Sequence, residues 1–346
     1  MQLSTIDPLT DTRWDDLVAS HPRASAFHQT GWLKALAVTY GYRTQVLTSA
    51  QPGQKLADGI AFCEVSSWIT GRRLVSLPFS DHAELLVDDP ASCAEMAKWM
   101  QAECRSRKWK YVELRPVSND SIIDSSMVRA GSYWLHTLDL TRSIDQLFQS
   151  LHKSCIQRRI RHAERERLTY KRSGSDELLD AFYELLMITR RRFRLLPQPR
   201  SWFQNLIAYL TPNAEIRLVC KGRNPIAALM TLRHRGTVIY KYGCSDARYH
   251  HTGGMPLLFW KLIEESKTEG ANAIDFGRTD LDNDGLIRFK DSLGASRRRL
   301  DYFRYPPSVR MPSMAGSKQG ALGRVFSVLP DALSSRLGQL AYRHIG

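Results

Sequence analysis

No two of the six cysteines (Cys63, Cys93, Cys104, Cys155, Cys220 and Cys244) stand close enough to form a C-x-x-C pair. That argues against a zinc ribbon, and no metal is expected. The thiols read as buried, reduced side chains of a cytosolic protein. No apolar run approaches the roughly 18 residues of a membrane span. Residues 1–16 carry Asp7, Asp11, Asp15 and Asp16 but no apolar core, so they do not read as a secretory signal. The expected location is the cytoplasm, with contact to a membrane only as a peripheral protein on the inner face of the plasma membrane. No internal repeat is visible at the sequence level. Acid is the scarcer charge, with 35 Asp and Glu against 49 Lys and Arg, a net +14. The basic stretches lack interleaved aromatic residues for base stacking, and DNA is not an expected partner.

What is present is clustered. Residues 142–200 hold 14 Lys/Arg and 7 Asp/Glu, and residues 297–346 hold 9 and 2, so each segment contributes +7 and the rest of the chain sums to zero. Clustered positive charge implies a polyanionic partner: a nucleic acid, an anionic membrane or a phosphate-bearing substrate. A length of 346 residues makes two domains the default, and 43% apolar content supplies their cores.

Hydrophobic periodicity alternates helices with strands. Helices are expected over 31–40, 91–108, 144–167, 175–193, 255–268 and 286–292. Strands are expected over 43–47, 59–65, 111–115, 134–140, 215–220, 226–233, 237–243, 273–276 and 299–304. The pattern is mixed α/β. Pro197 and Pro199 end the 175–193 helix, and Gly270 ends the 255–268 helix. Residues 306–318 turn to Pro, Ser, Gly and Met and read as a linker. Residues 319–346 form an amphipathic tail, either lying on an anionic membrane or docked on its own domain.

Two stretches carry candidate chemistry. From Tyr240 to Gly270 a strand enters a loop with Arg248, Gly253 and Gly254, and the loop opens a helix. Glycines let backbone N–H groups approach a ligand, and a helix N-terminus suits a phosphate; the bland reading is a turn that caps the helix. From Ile274 to Ala295, Asp280, Asp282, Asp284, Gly285 and Asp291 fit EF-hand spacing. The preceding segment reads as a strand where an EF-hand needs a helix, and Arg288 and Lys290 oppose a cation.

The run Asp275-Phe276-Gly277-Arg278, with Gly285-Leu286, Phe289-Lys290 and Leu293-Gly294-Ala295, resembles the C-terminal signature of the FemAB-like acyltransferases of the GNAT superfamily. Upstream, Leu151-His152-Lys153 with Arg158, Arg159, Ile160, Arg161 and Ala163 resembles the family's basic helix. Thr189 to Arg192, Pro197-Gln198-Pro199 and Trp202-Phe203 resemble a segment of exopolysaccharide-associated members. Leu77-Pro78-Phe79-Ser80-Asp81-His82 resembles an N-domain loop of the same subgroup. The similarity spans roughly residues 20–305. It implies an α/β (α+β) chain of two tandem GNAT-like domains, each a mixed, mostly antiparallel sheet flanked by helices. The domains would cover 1–140 and 141–305, with the acyl site in the second.

The resemblance also implies an activity. An acyl or aminoacyl group would pass from acyl-CoA or an aminoacyl-tRNA to an amine or hydroxyl of a cell-envelope or exopolysaccharide precursor. The acceptor would be a lipid-linked or polysaccharide anion, with tRNA and an anionic membrane surface as further partners. In place of a clean R/Q-x-x-G-x-G/A turn stand Arg248, Gly253 and Gly254. Together with Lys241 and Gly243 they are the expected donor-binding residues. The tetrahedral oxyanion would meet backbone N–H groups of Lys241–Gly243. Tyr240 or Tyr242 would protonate the leaving group, and Asp81 or His82 would act as base. Arg158, Arg159, Arg190, Arg191, Asp275, Arg278 and Lys290 are the expected substrate-binding residues. The alternative is a non-catalytic GNAT-like module that binds an anionic envelope intermediate or RNA.

Overall fold

The computed structural model describes residues 2–118, 126–306 and 331–345, with side chains of the last stretch from Leu337 on. Most of the expected linker, and the tail before residue 331, lie outside the described residues. The chain forms two units. The first takes the residues up to Tyr133, then 299–306 and 339–345; the second takes 134–298 and 331–338. Residues 299–306 fall in the first unit, where Phe303 pairs with Leu114 and Tyr305 with Val112.

In chain order the first unit begins with β1 (Ser4–Ile6), α1 (Arg13–Ser20), α2 (Thr30–Tyr40), β2 (Arg43–Thr48), β3 (Ile60–Ser67), β4 (Gly71–Val75), α3 (Pro90–Ser106) and β5 (Val112–Leu114). Next is β6 (Val128–Asp139), which starts in the first unit and ends in the second. The second unit continues with α4 (Ile144–Ser150), α5 (Arg158–Arg165), β7 (Thr169–Ser173), α6 (Asp176–Arg192), α7 (Arg200–Leu210), β8 (Ala214–Lys221), β9 (Asn224–His234), β10 (Thr237–Ser245), α8 (Gly254–Thr268), β11 (Ala273–Asp280) and α9 (Asp284–Ser292). β12 (Ser296–Tyr305) and α10 (Asp331–Ile345) close the chain.

In the first unit β1, β2, β3 and β4 are successive antiparallel neighbours, and β5 joins β4 in parallel. Met96 and Met100 of α3 pack with Phe62, Leu74 and Val112 of the strands in one buried cluster. In the second unit the strand order is β6-β11-β10-β9-β8-β7, antiparallel from β10 to β7 and parallel between β10 and β11. Its core gathers Leu229, Leu258, Phe259, Leu262, Ile263, Ile274 and Phe276. In each unit the strand pairing is mixed and mostly antiparallel, with helices on it, as the resemblance implied.

The helix expected over 144–167 is broken. Leu151 and His152 are extended, the His152 N–H donates to the Ser292 carbonyl (2.9 Å), and a π-turn at Lys153–Gln157 precedes α5. The buried Gln157 amide donates to the carbonyls of Phe148 (3.1 Å) and Leu151 (2.8 Å), satisfying the end of α4. The strands β1, β4 and β7 and the helices α1 and α7 are additional to the expected elements; α7 buries Trp202, Phe203, Leu206, Ile207 and Leu210 on one face, a periodic signal that the sequence reading passed over. The segment before the acidic loop is the strand β11, and Asn283 caps α9 by accepting from the Leu286 N–H (3.1 Å). Those acids flank a helix start rather than following a helix.

Candidate functional site

The site in the second unit is built where two parallel strands part. β10 and β11 pair only from Thr237–Ala273 to Ile239–Asp275, and beyond that their ladder ends. On the other edge of β10, Tyr240 pairs with Thr231 and Tyr242 with Met230, so Lys241 is an inserted bulge residue. The insertion sends the two tyrosines to opposite faces. Tyr240 packs edge-on against Phe259 of α8 (4.9 Å) and its hydroxyl crowds Gly243, where a Cβ would lie 2.2 Å away. Tyr242 packs against Phe203 (5.0 Å), and its hydroxyl accepts from the Trp202 indole N–H (2.8 Å) of α7.

After β10 a short 3-10 turn, Ala247–Thr252, leads into α8. Gly253 adopts φ 81, and a Cβ there would stand 2.4 Å from the Arg159 carbonyl oxygen of α5. Only glycine fits both conditions. Pro256 has no N–H, so the first turn of α8 presents the N–H groups of Gly254 and Met255 with no acceptor from the preceding helical turn.

Those two residues and Pro256 line a cavity of about 870 Å³. Its walls are Ile226, Ala227 and Ser245 at the strand ends, His152, Cys155, Ile156 and Arg159 before and within α5, and Arg288, Phe289 and Asp291 of α9. A helix N-terminus and two guanidinium groups make it a basic pocket with an apolar floor.

His250 joins the cavity to α6. Its Nε2 lies 2.9 Å from the Ser245 hydroxyl and accepts from Arg192 Nη1 (3.2 Å), while its carbonyl accepts from Arg159 Nη1 (3.1 Å). Partial burial and the charge of Arg192, assisted by Arg159 and opposed by Asp246, hold its imidazole below the ordinary value. Thr189 and Ser245 exchange hydrogen bonds (3.1 and 2.9 Å), which fixes this end of α6 to β10.

Of the sequence-predicted residues, Arg159 and Gly254 line the cavity, and Gly253 supports it from behind. Arg248 is exposed and bound to Asp246 (2.6 Å). Lys241 lies over the Tyr242 ring (5.5 Å). Arg158 and Arg191 are exposed, and Arg190 is near the buried Cys244 thiol, whose titration burial pushes up. Asp275 is buried and accepts from the Gly277 N–H (2.6 Å), a local turn at φ 71, and Arg278 is half-buried. Lys290 differs most from its expected role as an open anion ligand. It is 3% exposed, and its ammonium donates to the carbonyls of Gly277 and Arg278 (both 3.0 Å) and to the Thr279 hydroxyl (2.8 Å). Asp81 and His82 belong to the first unit. The Asp81 carbonyl accepts from Tyr302 (2.5 Å), and the buried His82 ring packs edge-on against Phe27 (5.4 Å). Their loop is held in left-handed backbone at Leu77 (φ 44) and Phe79 (φ 62), and Arg115 donates to the Leu77 and Ser80 carbonyls (3.2 and 3.1 Å).

Sequence reasoning missed His152, Cys155, Arg192, Ser245, His250 and Arg288 as a group. The available signal was the pair His250-His251 directly before Thr252-Gly253-Gly254. Among the described residues no group of three or more His, Cys, Asp or Glu is disposed to hold a metal.

Residues 151–291 match the model of an acetyltransferase (GNAT) domain. No curated protein matches the chain. Among solved structures the fold is similar to FemX, at 16% identity over 88% of this chain and 97% of that one, TM-score 0.70. It is also similar to L-PGS from Bacillus licheniformis (16% identity, 85% and 92% covered, TM-score 0.56). A third likeness is a tandem GNAT protein from the clavulanic acid biosynthesis pathway (13% identity, 90% and 100% covered, TM-score 0.56). At these identities the likeness is one of fold. The chain has a FemAB-like GNAT fold, and within its second unit residues 151–291 match an acetyltransferase (GNAT) domain.

Proposed function

Since the second unit carries an acetyltransferase (GNAT) domain, we propose that the protein moves an acyl or aminoacyl group from an activated donor to an amine or hydroxyl of an anionic cell-envelope or exopolysaccharide precursor. The observation that carries this reading is the cavity at the start of α8, lined by Gly254 and Met255 of its first turn and by Arg159 and Arg288. Acyl-CoA and aminoacyl-tRNA both bring phosphates to such a place. The acceptor class rests on the FemAB-like segments and on the basic surplus of 142–200. A lipid-linked acceptor would bring the protein to the inner face of the membrane as a peripheral partner. Among the described residues no helix is long and apolar enough to cross a membrane.

In this reading the acceptor attacks the donor carbonyl, and the developing oxyanion meets backbone N–H groups around the Lys241 bulge. Tyr240 is the preferred acid for the leaving group, because it lies on the α8 face, as the cavity does, whereas Tyr242 faces α7.

The test is calorimetric titration with coenzyme A and, separately, with tRNA, followed by turnover with the donor that binds. Gly254→Val, whose side chain would press on Ile226 of the cavity wall and on Val219 behind it, should abolish binding of that donor while an unchanged far-ultraviolet spectrum shows the fold is kept. Tyr240→Phe should leave binding intact and lower kcat by about a hundredfold or more, while Tyr242→Phe should not. Binding that Gly254→Val leaves unchanged would reject the donor site. Binding without turnover of any acyl or aminoacyl donor would favour the non-catalytic module.

A further inference from the structure

The hairpin joining β3 to β4 ends in a tip that is apolar where solvent should be. Trp68 is 88% exposed and Ile69 60%. The tip is not loose: the Ser67 hydroxyl accepts from the N–H groups of Ile69 (3.1 Å) and Thr70 (2.9 Å), and Gly71 turns the chain at φ 89. The end of α10 lies against it. Thr70 donates to the His344 carbonyl (2.8 Å), His344 Nδ1 is 3.0 Å from the Ser67 hydroxyl, and the Trp68 and His344 rings are 5.7 Å apart. Leu340 and Ile345 of the same helix end are also exposed, at 60% and 41%. Cations rim the patch. Lys110 reaches the Thr70 carbonyl (3.4 Å), Arg343 is exposed, and Arg72 is half-exposed and paired with Glu64 (2.8 Å).

We propose that this tip, Trp68 and Ile69 with the Leu340–Ile345 end of α10, is the surface by which the protein docks on an anionic lipid bilayer. Single exposed apolar residues need no explanation, but four on two adjoining elements form a patch. A tryptophan at the edge of an apolar patch suits the headgroup boundary, and Lys110 and Arg343 suit anionic lipid. A hairpin turn offers a few projecting side chains, not the area above about 1,000 Å² that a stable protein interface needs. The proposal does not depend on the acyl-transfer reading.

The full chain is tested by co-sedimentation with vesicles of phosphatidylglycerol and phosphatidylcholine, and with phosphatidylcholine alone. It should bind the anionic vesicles, less at high salt, and the neutral ones weakly. The double variant Trp68→Ser, Ile69→Ser should bind anionic vesicles at least about tenfold more weakly with an unchanged far-ultraviolet spectrum. Lys110→Glu with Arg343→Glu should lose the preference for anionic lipid. The proposal is overturned if the parent ignores anionic vesicles, or if the double serine variant binds as the parent does. It is also overturned if the parent forms concentration-dependent dimers that the serine variant abolishes while vesicle binding persists, which would make the patch a self-association surface.

Discussion

At the scale of single residues, His136 shows how burial decides chemistry. Its side chain is fully buried, with Nδ1 3.4 Å from the Thr279 hydroxyl and Nε2 3.5 Å from Asp291. Burial and the neighbouring Lys290 charge, with Asp291 opposing, push its pKa to about 4. The imidazole is neutral at physiological pH, so its approach to Asp291 is not an ion pair there. A depressed histidine pKa means that the unfolded chain takes up a proton that the folded chain refuses. The stability this group contributes is complete above about pH 6.5 and is lost as pH falls towards 4. The loss is at most about 3 kcal/mol. Denaturant titrations between pH 7 and 4 should show a shallower decline for His136→Gln than for the parent; parallel curves would refute the assignment. Two glycines give a second contrast. Gly270 (φ 75) has open space around its Cα, so Gly270→Ala should cost about 1 kcal/mol from backbone strain alone. Gly253→Ala adds a clash with the Arg159 backbone and should cost at least about 2 kcal/mol, measured by chemical denaturation.

At the scale of elements, the sequence's helices and strands carry the site only through their ends. α6 was legible from its apolar face, and its acids Asp176 and Glu177 and its basic end Arg190–Arg192 complement the helix dipole. The signature Asp275-Phe276-Gly277 and Lys290 were legible as motif residues; in the fold Lys290 ties α9 to the end of β11 through three neutral oxygens. Lys290→Met should leave those buried acceptors unmatched and destabilise the protein by about 2–4 kcal/mol. A stability change below about 0.5 kcal/mol with lost activity would instead return Lys290 to the substrate. The broken 144–167 helix was not legible, because the break depends on a carbonyl from Ser292 and on the Gln157 amide, neither of which is a local signal.

At the scale of the whole chain, the expected tail divides. Residues 339–345 dock on the first unit: Tyr42 donates to the Tyr342 carbonyl (2.8 Å), and the buried Arg73 donates to the His344 carbonyl (2.9 Å). Removing residues 339–346 should therefore expose Tyr42 and Arg73 and destabilise the chain by about 2–4 kcal/mol in urea titrations. A truncated protein as stable as the parent would mean that the helix end is merely apposed.

The amino-acid order alone determined the alternation of helices and strands, the clustering of charge and the family resemblance. All three are local or compositional properties, written by apolar spacing, by glycine and proline, and by short ordered motifs. Only the tertiary structure decided which polar residues meet. The Lys241 bulge separated two tyrosines that sequence spacing placed together, and packing of α5 against Gly253 put Arg159 beside α8. Strand pairing sent the end of β12 to the first unit, and burial removed Lys290 from solvent. These outcomes depend on contacts between residues far apart in the chain, and periodicity carries no record of them.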